Sequence, residues 1–544
     1  MQGRCSTGLS YGPRSEEGRR GEGSRSGPWI AVAPLGGLPS EVAAGRLSPP
    51  IGVPVPVRAA VASGHPAVTA AAMEVLDAGG NAIDAVVAAG FAGAVAEPSL
   101  TGLAGGGFLL IGPVGAPPVL LDFFVDSPGL GLPPPDDPML GMEAAVVRFR
   151  GDDQVFHVGP GSIAVPGCLA GYLHAHDRFG RLDLARVVEP AVALARDGVV
   201  LGRGQASVVR LLEPIMTREP EGRERYGGPT GLPFGDDQRV VNERLAAFLL
   251  DVGAGRRRGF DDPDLGPDLV AGLAARGGRL TLADLAAHRV IEREPLVATF
   301  GDVRLTTNAP PSYGGEVIAR VVGELLGSPE LLGPPGSAIR LARLADVIGS
   351  ATRWHRARER ADPPANARHG TTHVSVVDAD GMLAAMTTSN GSTSGVHLAD
   401  TGIMANNVMG EEDLHPHGLG TLAPGHRVGS MMAPMLLERD GAPTVVLGSG
   451  GSERIRSALS QVILALVLDG RSLEDAVRAP RLHPNAGVVQ LEPGHDPQAV
   501  ALLAATHRVN VWDAPDLYFG GVNVVDTAGG HAADPRRGGA SAAG

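Results

Sequence analysis

Residues 370–378 read Gly-Thr-Thr-His-Val-Ser-Val-Val-Asp, and one of them can be nucleophile and base at once. A threonine hydroxyl is a poor nucleophile until a base takes its proton. The free α-amine of an N-terminal threonine is such a base, with an ordinary pKa near ~8. Thr371 acquires that amine only if the backbone is cut between Gly370 and Thr371. A glycine ahead of it permits the strained approach of the hydroxyl to its own preceding carbonyl. A strand directly after it would hold the new terminus rigidly. The same residues also suit the start of an ordinary β-hairpin.

A second constellation is Gly448-Ser449-Gly450-Gly451-Ser452. It follows an apolar run, Thr444–Leu447, and precedes Ile455, Leu459, Val462, Ile463 and Leu466 at helical spacing. A strand, glycine loop and helix start present backbone N–H groups to an anion. An oxyanion hole built by Gly450 and Gly451 is the expected use; losing such donors typically costs ~3–4 kcal/mol of transition-state stabilisation. A tight packing turn is the plainer alternative.

Composition narrows the chemistry. The chain has 544 residues, 43% hydrophobic and 19% charged, which is globular composition with length for a large core. No lysine occurs, so all 46 basic residues are arginine. A phosphate-loop lysine, a pyridoxal Schiff base and a Ser–Lys dyad are therefore excluded. A net charge of -13 argues against a nucleic-acid partner. The two cysteines, Cys5 and Cys168, make no disulfide framework and no metal spacing. No run of eighteen apolar residues and no evident secretion signal exist, so the cytoplasm is the default expectation.

The elements that must position these residues follow from local pattern. Residues 1–55 are rich in Gly, Arg, Ser and Pro and are expected to be a disordered tail. Structure should begin near Ala59–Ala62. Val68, Ala72, Val75 and Leu76 form one face of a helix after His65, ended by Gly79-Gly80. Asn81 and Asp84 suit a capping box for a second helix, with Ile83, Val86 and Val87 inward and Glu97-Pro98 at its end. Gly102–Gly107 then leads to a strand, Phe108–Ile111. The segment from Glu219 to Asp237 reads as a surface excursion. Thr281 caps a short helix, Ala309–Gly315 bends into another, and Ala338–Glu359 is helical, with a loop from Asp362 to Gly370. Beyond that the period becomes two: Thr372, Val374 and Val376 point one way, His373, Ser375 and Val377 the other. A turn at 378–381 returns a second strand, Met382–Thr387.

Taken together, these segments resemble the γ-glutamyltranspeptidase family. Thr371–Asp378 resembles the start of that family's small subunit. Gly79–Ala85, Glu97-Pro98 and Gly105-Gly106-Gly107-Phe108 resemble its large subunit, and Val165-Pro166-Gly167, Pro310-Pro311-Ser312 and Gly448–Ser452 fall in the family's order. The resemblance runs from about residue 59 to the C-terminus.

The resemblance implies an α+β fold, the N-terminal nucleophile hydrolase αββα sandwich, with two stacked sheets between helix layers. It implies self-cleavage before Thr371 into a large subunit, 56–370, and a small one, 371–544, which stay together as one intertwined catalytic domain. Hydroxyls of the second strand would support the nucleophile, from Thr387, Thr388 and Ser389; which of Thr388 and Ser389 does so is open. Asn390 would be a substrate-facing amide and Glu411 an acidic ligand. Ser430 would be half of a serine pair for the donor carboxylate, with Gly429 in its partner's place. One departure bears on substrate. Where the family has an arginine that clamps the γ-glutamyl carboxylate, this chain reads Asp122-Phe123-Phe124-Val125-Asp126.

The expected activity is an amidohydrolase and acyltransferase acting on γ-glutamyl amides, glutathione-like, through an acyl-enzyme on Thr371. One alternative keeps the fold and takes glutaryl or oxo-amide donors. Another is an unprocessed, non-catalytic relative. The expected partners are a small amide substrate and the chain's own cleaved half. No cofactor, metal or membrane is implied.

Overall fold

Alternating burial along the strands divides the molecule into layers. In the computed structural model, residues 57–149, 152–228, 232–359 and 370–544 are described. They lie in one unit, Val55–Gly544. The expected tail and the loop from 362 to 369 lie outside the described residues.

Thirteen strands form the two main sheets. They are β1 (Ala60–Ser63), β2 (Gly106–Gly112), β3 (Val119–Asp122), β4 (Ile291–Arg293), β5 (Leu296–Phe300), β6 (Val303–Thr307), β7 (Gly370–Val377), β8 (Leu383–Gly391), β9 (Met435–Arg439), β10 (Val445–Gly450), β11 (Gly521–Asp526), β12 (His531–Ala532) and β13 (Ala540–Ala543). The first sheet has the order β13-β1-β7-β8-β2-β3-β4; the second runs β12-β11-β10-β9-β6-β5. β7 and β8 are central in the first sheet, and β10 packs across onto β7.

On the outer face of the first sheet lie α1 (Pro66–Asp77), α2 (Ala82–Ala96), α3 (Cys168–Phe179), α4 (Leu184–Asp197) and α5 (Glu243–Gly253). Behind the second sheet lie α6 (Gly314–Leu326), α7 (Ala338–Glu359) and α8 (Arg454–Val467). This is the αββα arrangement. Period two explains how one strand serves two cores. Val61, Leu109, Ile111, Val374, Val376, Ala384 and Met386 pack toward α2. Ala60, Ala62, Phe108, Leu110, Val377 and Ala385 fill the space between the sheets.

The capping box at Asn81 and Asp84 forms. Where one inward face was expected, however, α2 is buried nearly all round, because it lies between the first sheet and the helices α1 and α4. Its small residues permit that: a Cβ on Gly90 would sit 2.6 Å from the Tyr172 ring. Within the expected excursion after Glu219, Pro220–Tyr226 is a helix. Pro220 stands at its first turn and Arg225 pairs with Glu221 at 2.9 Å, both of which favour a helix start. Gly448–Gly450, expected in a loop, are the last residues of β10 and pair with β11.

One buried carboxylate ties the β7–β8 turn to the helix layer. Asp378 accepts the Ala82 backbone N–H at 2.8 Å, and those of Asp380 at 3.0 Å and Met382 at 2.9 Å. Asp378→Ala strands three donors and should lower stability by ~2–3 kcal/mol, read from the denaturant midpoint.

Candidate active site

The β7–β8 ladder is irregular at the residue that matters. Gly370 pairs with Gly391 and Thr372 with Thr388, so Ser389 and Asn390 of β8 stand opposite Thr371 alone: the bulge is on β8, and Thr371 is its unpaired opposite. Such a residue is freed from strand pairing and its side chain re-aimed. Thr371 is buried, at 4% exposure, and lines a narrow pocket between the sheets.

Ser389 and Thr388 separate cleanly by strand alternation. The Ser389 hydroxyl donates a short hydrogen bond to the Gly370 carbonyl oxygen and accepts the Gly391 N–H at 3.0 Å. Thr388 points the other way; its hydroxyl shares a 2.8 Å hydrogen bond with that of Thr101. Thr387 Oγ1 bonds to His373 Nδ1 at 2.8 Å, and the other ring nitrogen meets Ser375 Oγ at 2.9 Å. Burial pulls His373 down to about 3, so the imidazole is neutral and occupied on both nitrogens. It is no candidate for the base.

Thr371, Ser389, Glu411 and Ser430 are brought to one pocket, with Phe124 in its wall. Glu411 accepts the Ser392 N–H at 3.1 Å. The Ser430 hydroxyl accepts the Met432 N–H at 3.1 Å. Asn390 does not reach the pocket lining. Its amide donates to the Met404 carbonyl at 3.1 Å and packs beneath Gly102 and Gly105. Gly450 and Gly451 abut Thr371 from the second sheet. A Cβ at Gly450 would stand 2.0 Å from the Thr371 carbonyl oxygen, and Gly451 has φ +125. Ser452 follows with φ 49, a left-handed strain that its Oγ bond to Asp413 at 3.1 Å accompanies.

The rest of the lining is Asp413, Ser452 and an apolar wall of Phe124, Val408, Leu414, Met431, Met432 and Ile455. Phe124 stacks on Phe108 with centroids 5.7 Å apart. Its backbone N–H donates to Asp122 at 2.9 Å, which fixes the bend that turns it inward. None of the residues lining the pocket is cationic. The cations next to this segment are spent on its carboxylates: Arg427 on Asp122 at 2.9 Å and Asp126 at 2.7 Å, and Arg293 on Asp122 at 2.6 Å. Through Asp413, Leu414 and Met431 the pocket continues into a cleft of about 430 Å³. There Arg356 and Arg456 flank Glu453 at 2.6 and 3.4 Å. Burial pushes that carboxyl up, but the two guanidinium groups outweigh it and hold it at about 2. Among the described residues no cluster of His, Cys, Asp and Glu is placed to hold a metal ion, and no helix is long and apolar enough to cross a membrane.

Two residues flank Thr371 that the motifs did not single out for the site. Glu97, noted as the end of α2 and in a family motif but given no role, accepts the Thr372 hydroxyl at 2.7 Å on the far face of β7. Burial pushes its carboxyl up to about 7. Arg537 donates from Nη1 to the Thr371 carbonyl at 3.2 Å. Period two along β7 puts Thr372 opposite the nucleophile's face, which was a signal for a partner there. Arg537 left none, being 166 residues away.

If the Ser389 hydroxyl supports the carbonyl to be cut, Ser389→Ala should leave most of the chain uncut on a denaturing gel, slowing cleavage by ~10²-fold or more. Thr388→Ala, on the opposite face, should still process. Glu97 sets a pH dependence. Its carboxyl titrates near 4.5 ordinarily and about 7 in the fold, so between these values the folded chain keeps a proton that the unfolded chain releases. Stability is therefore full in acid and falls as pH rises through that window. In an uncut Thr371→Ala background, Glu97→Gln should gain about 3 kcal/mol over Glu97 in mildly alkaline buffer and nothing in acid, by equilibrium denaturation.

Comparison with known proteins agrees with this geometry. The family model described as gamma-glutamyltranspeptidase matches residues 68–326 and 337–544. The acylase ACY 1 proenzyme of Pseudomonas sp. strain SE83 is 33% identical over 491 residues, spanning 83% of this chain and 87% of that protein. The glutathione hydrolase proenzyme of Escherichia coli K12 is 27% identical over 551 residues, spanning 88% and 91%. The crystal structure of a cephalosporin acylase from Bacillus halodurans superposes with a TM-score of 0.74 at 20% identity, covering 93% of this chain and 99% of that one, and shares its fold. With Thr371 unpaired between two stacked sheets and a family model spanning both sides of it, this chain belongs to the γ-glutamyltranspeptidase family, enzymes of the N-terminal nucleophile class.

Proposed function

We propose that the chain cuts itself between Gly370 and Thr371 and then opens γ-glutamyl-type amides through an ester on Thr371. The observation that carries this is the bond from Ser389 to the Gly370 carbonyl, beside an unpaired Thr371. In the first reaction the Thr371 hydroxyl oxygen attacks the Gly370 carbonyl carbon. The C–N bond breaks as a C–O bond forms, and the hydroxyl proton ends on the released amine. Ser389 supports the carbonyl oxygen as charge develops on it. Water then hydrolyses the ester, leaving a carboxylate at Gly370 and a free α-amine on Thr371.

That amine is the base for turnover. It takes the hydroxyl proton while the oxygen attacks the substrate carbonyl, and it returns the proton to the leaving amine. Gly450 and Gly451 are the proposed oxyanion donors. Glu411 and Ser430 hold the acyl group, and water or an amine resolves the ester. His373 is neutral and engaged on both nitrogens, which supports the amine as base. The two halves, 56–370 and 371–544, would stay together because β7 and β8 lie between β1 and β2.

A specific observation favours a second reading of the donor. Phe124 occupies the wall, and the residues lining the pocket include no cation. A donor carboxylate would be buried there without a partner, which is costly. An oxo-amide donor has no such carboxylate, and a glutaryl donor, which keeps it, drops the α-ammonium that this wall would also have to desolvate; the acylase relative supports this reading.

N-terminal sequencing of the smaller fragment should give Thr-Thr-His-Val; any other start overturns the mechanism. Thr371→Ala should abolish cleavage and turnover together. In a donor panel, γ-glutamyl-anilide and glutaryl-anilide separate the two readings: tenfold or greater preference for the glutaryl compound, ~1.4 kcal/mol, selects the second. Phe124→Arg should then raise kcat/KM for both anilides, since each carries a carboxylate that the guanidinium would pair.

A further inference from the structure

Thr371 has an anchoring problem its neighbours lack. The ladder to β8 skips it, and β1 joins β7 only at residues 375–377. Cleavage in front of it would also remove its N-terminal peptide bond. A nucleophile needs rigid placement, since small displacements of a reacting group are costly.

Arg537 supplies a hold. Its Nη1 donates to the Thr371 carbonyl at 3.2 Å and its Nη2 to the Leu517 carbonyl at 3.3 Å. Both acceptors are neutral oxygens. The guanidinium lies in a slot that side chains would fill: Cβ atoms on Gly450, Gly451 and Gly521 would stand 3.3, 3.1 and 2.5 Å from its atoms. Burial lowers it to about 10, so it stays charged at neutral pH. The half-buried cation has its hydrogen bonds on carbonyls and only through-space support from Asp516, Asp534 and Glu97, a costly way merely to anchor a loop.

We propose that Arg537 is a positioning residue for the nucleophile: it grips the carbonyl of Thr371, and its charge keeps that residue's α-amine unprotonated at neutral pH. This rests on the self-cleaving reading above. The gripped carbonyl and the amine belong to one residue, so the guanidinium stands within a few ångströms of the base. A cation at that range disfavours the ammonium form. The other charged groups around the pair come from several elements. Arg454 at the start of α8 adds a second positive charge, while Asp516 and Asp534 flank Arg537 and Glu97 faces it across β7. His373 on β7 is neutral, and Glu411 and Asp413 line the pocket. Glu97 opposes the effect, but with its carboxyl at about 7 it is partly protonated at neutral pH.

The absence of lysine makes the test direct. In the processed protein the only primary amines are the chain's first residue and Thr371. Competitive acetylation across pH, read by mass spectrometry on the peptide beginning at Thr371, titrates that amine in the wild type. The expected pKa lies about one unit below the ordinary ~8 of an α-amine. A value at or above the ordinary one overturns the proposal, whatever the variants do. Absence of any peptide beginning at Thr371 instead sinks the self-cleaving reading. In kcat/KM against pH, Arg537→Gln should lose the grip at every pH and also move the acid limb up by about one unit, so that its loss deepens roughly tenfold below neutrality. Arg537→Lys should keep the wild-type limb. An equal loss for Arg537→Gln at every pH marks a merely structural role and overturns the electrostatic claim.

Discussion

The carbonyl oxygen of Thr371 lies where a methyl group on residue 450 would have to be, 2.0 Å away. The two sheets can meet at Thr371 only because residue 450 has no side chain. The same contact sets much of what surrounds it. The approach of β10 to β7 places Gly451 and Ser452 at the pocket and opens the slot that Arg537 fills. Two strand residues earlier, Gly448 accommodates the His373 ring, which a Cβ would meet at 2.2 Å. The glycines of this strand are thus a record of what the first sheet presses against it.

Charge is distributed so that the acyl pocket holds none of the arginines. Arg427 serves Asp122 and Asp126, Arg356 and Arg456 serve Glu453 in the outer cleft, and Arg537 serves a carbonyl behind the nucleophile. A guanidinium keeps its charge under burial better than an ammonium would, which suits a chain without lysine. What remains lining the pocket is an apolar wall with two carboxylates, Glu411 and Asp413, and four hydroxyl-bearing residues, Thr371, Ser389, Ser430 and Ser452. Such a surface rewards a donor whose chain is apolar near Phe124.

The layering also explains why a backbone cut at the centre of a sheet is tolerable. β7 is held on one side by β1, on the other by β8, across its faces by α2 and by β10 and β11. Loss of one peptide bond at the edge of a bulge removes little of this. Asn523 donating to the His373 carbonyl at 2.7 Å, and Asp378 tied to the start of α2, fix the strand on either side.

Much of the fold was legible in the sequence because the signals were local. The capping residues Asn81, Asp84 and Thr281 and the helix Ala338–Glu359 stand where their pattern put them. So does the alternation in β7, since side-chain direction in a strand is fixed by position alone. Thr371 and Phe124 could be singled out from motif and departure. The choice between Thr388 and Ser389 needed the bulge, which shifts register by one residue and cannot be seen in a single strand. Asn390 turned toward Met404 rather than the pocket for the same reason. Arg537 and the Glu97–Thr372 bond join residues 166 and 275 positions apart, and no periodicity carries across such distances. By itself the sequence determined which residues have the chemistry and which way each strand faces; only packing of the two sheets decided which of them meet, because contact between distant segments is set by the shape of both.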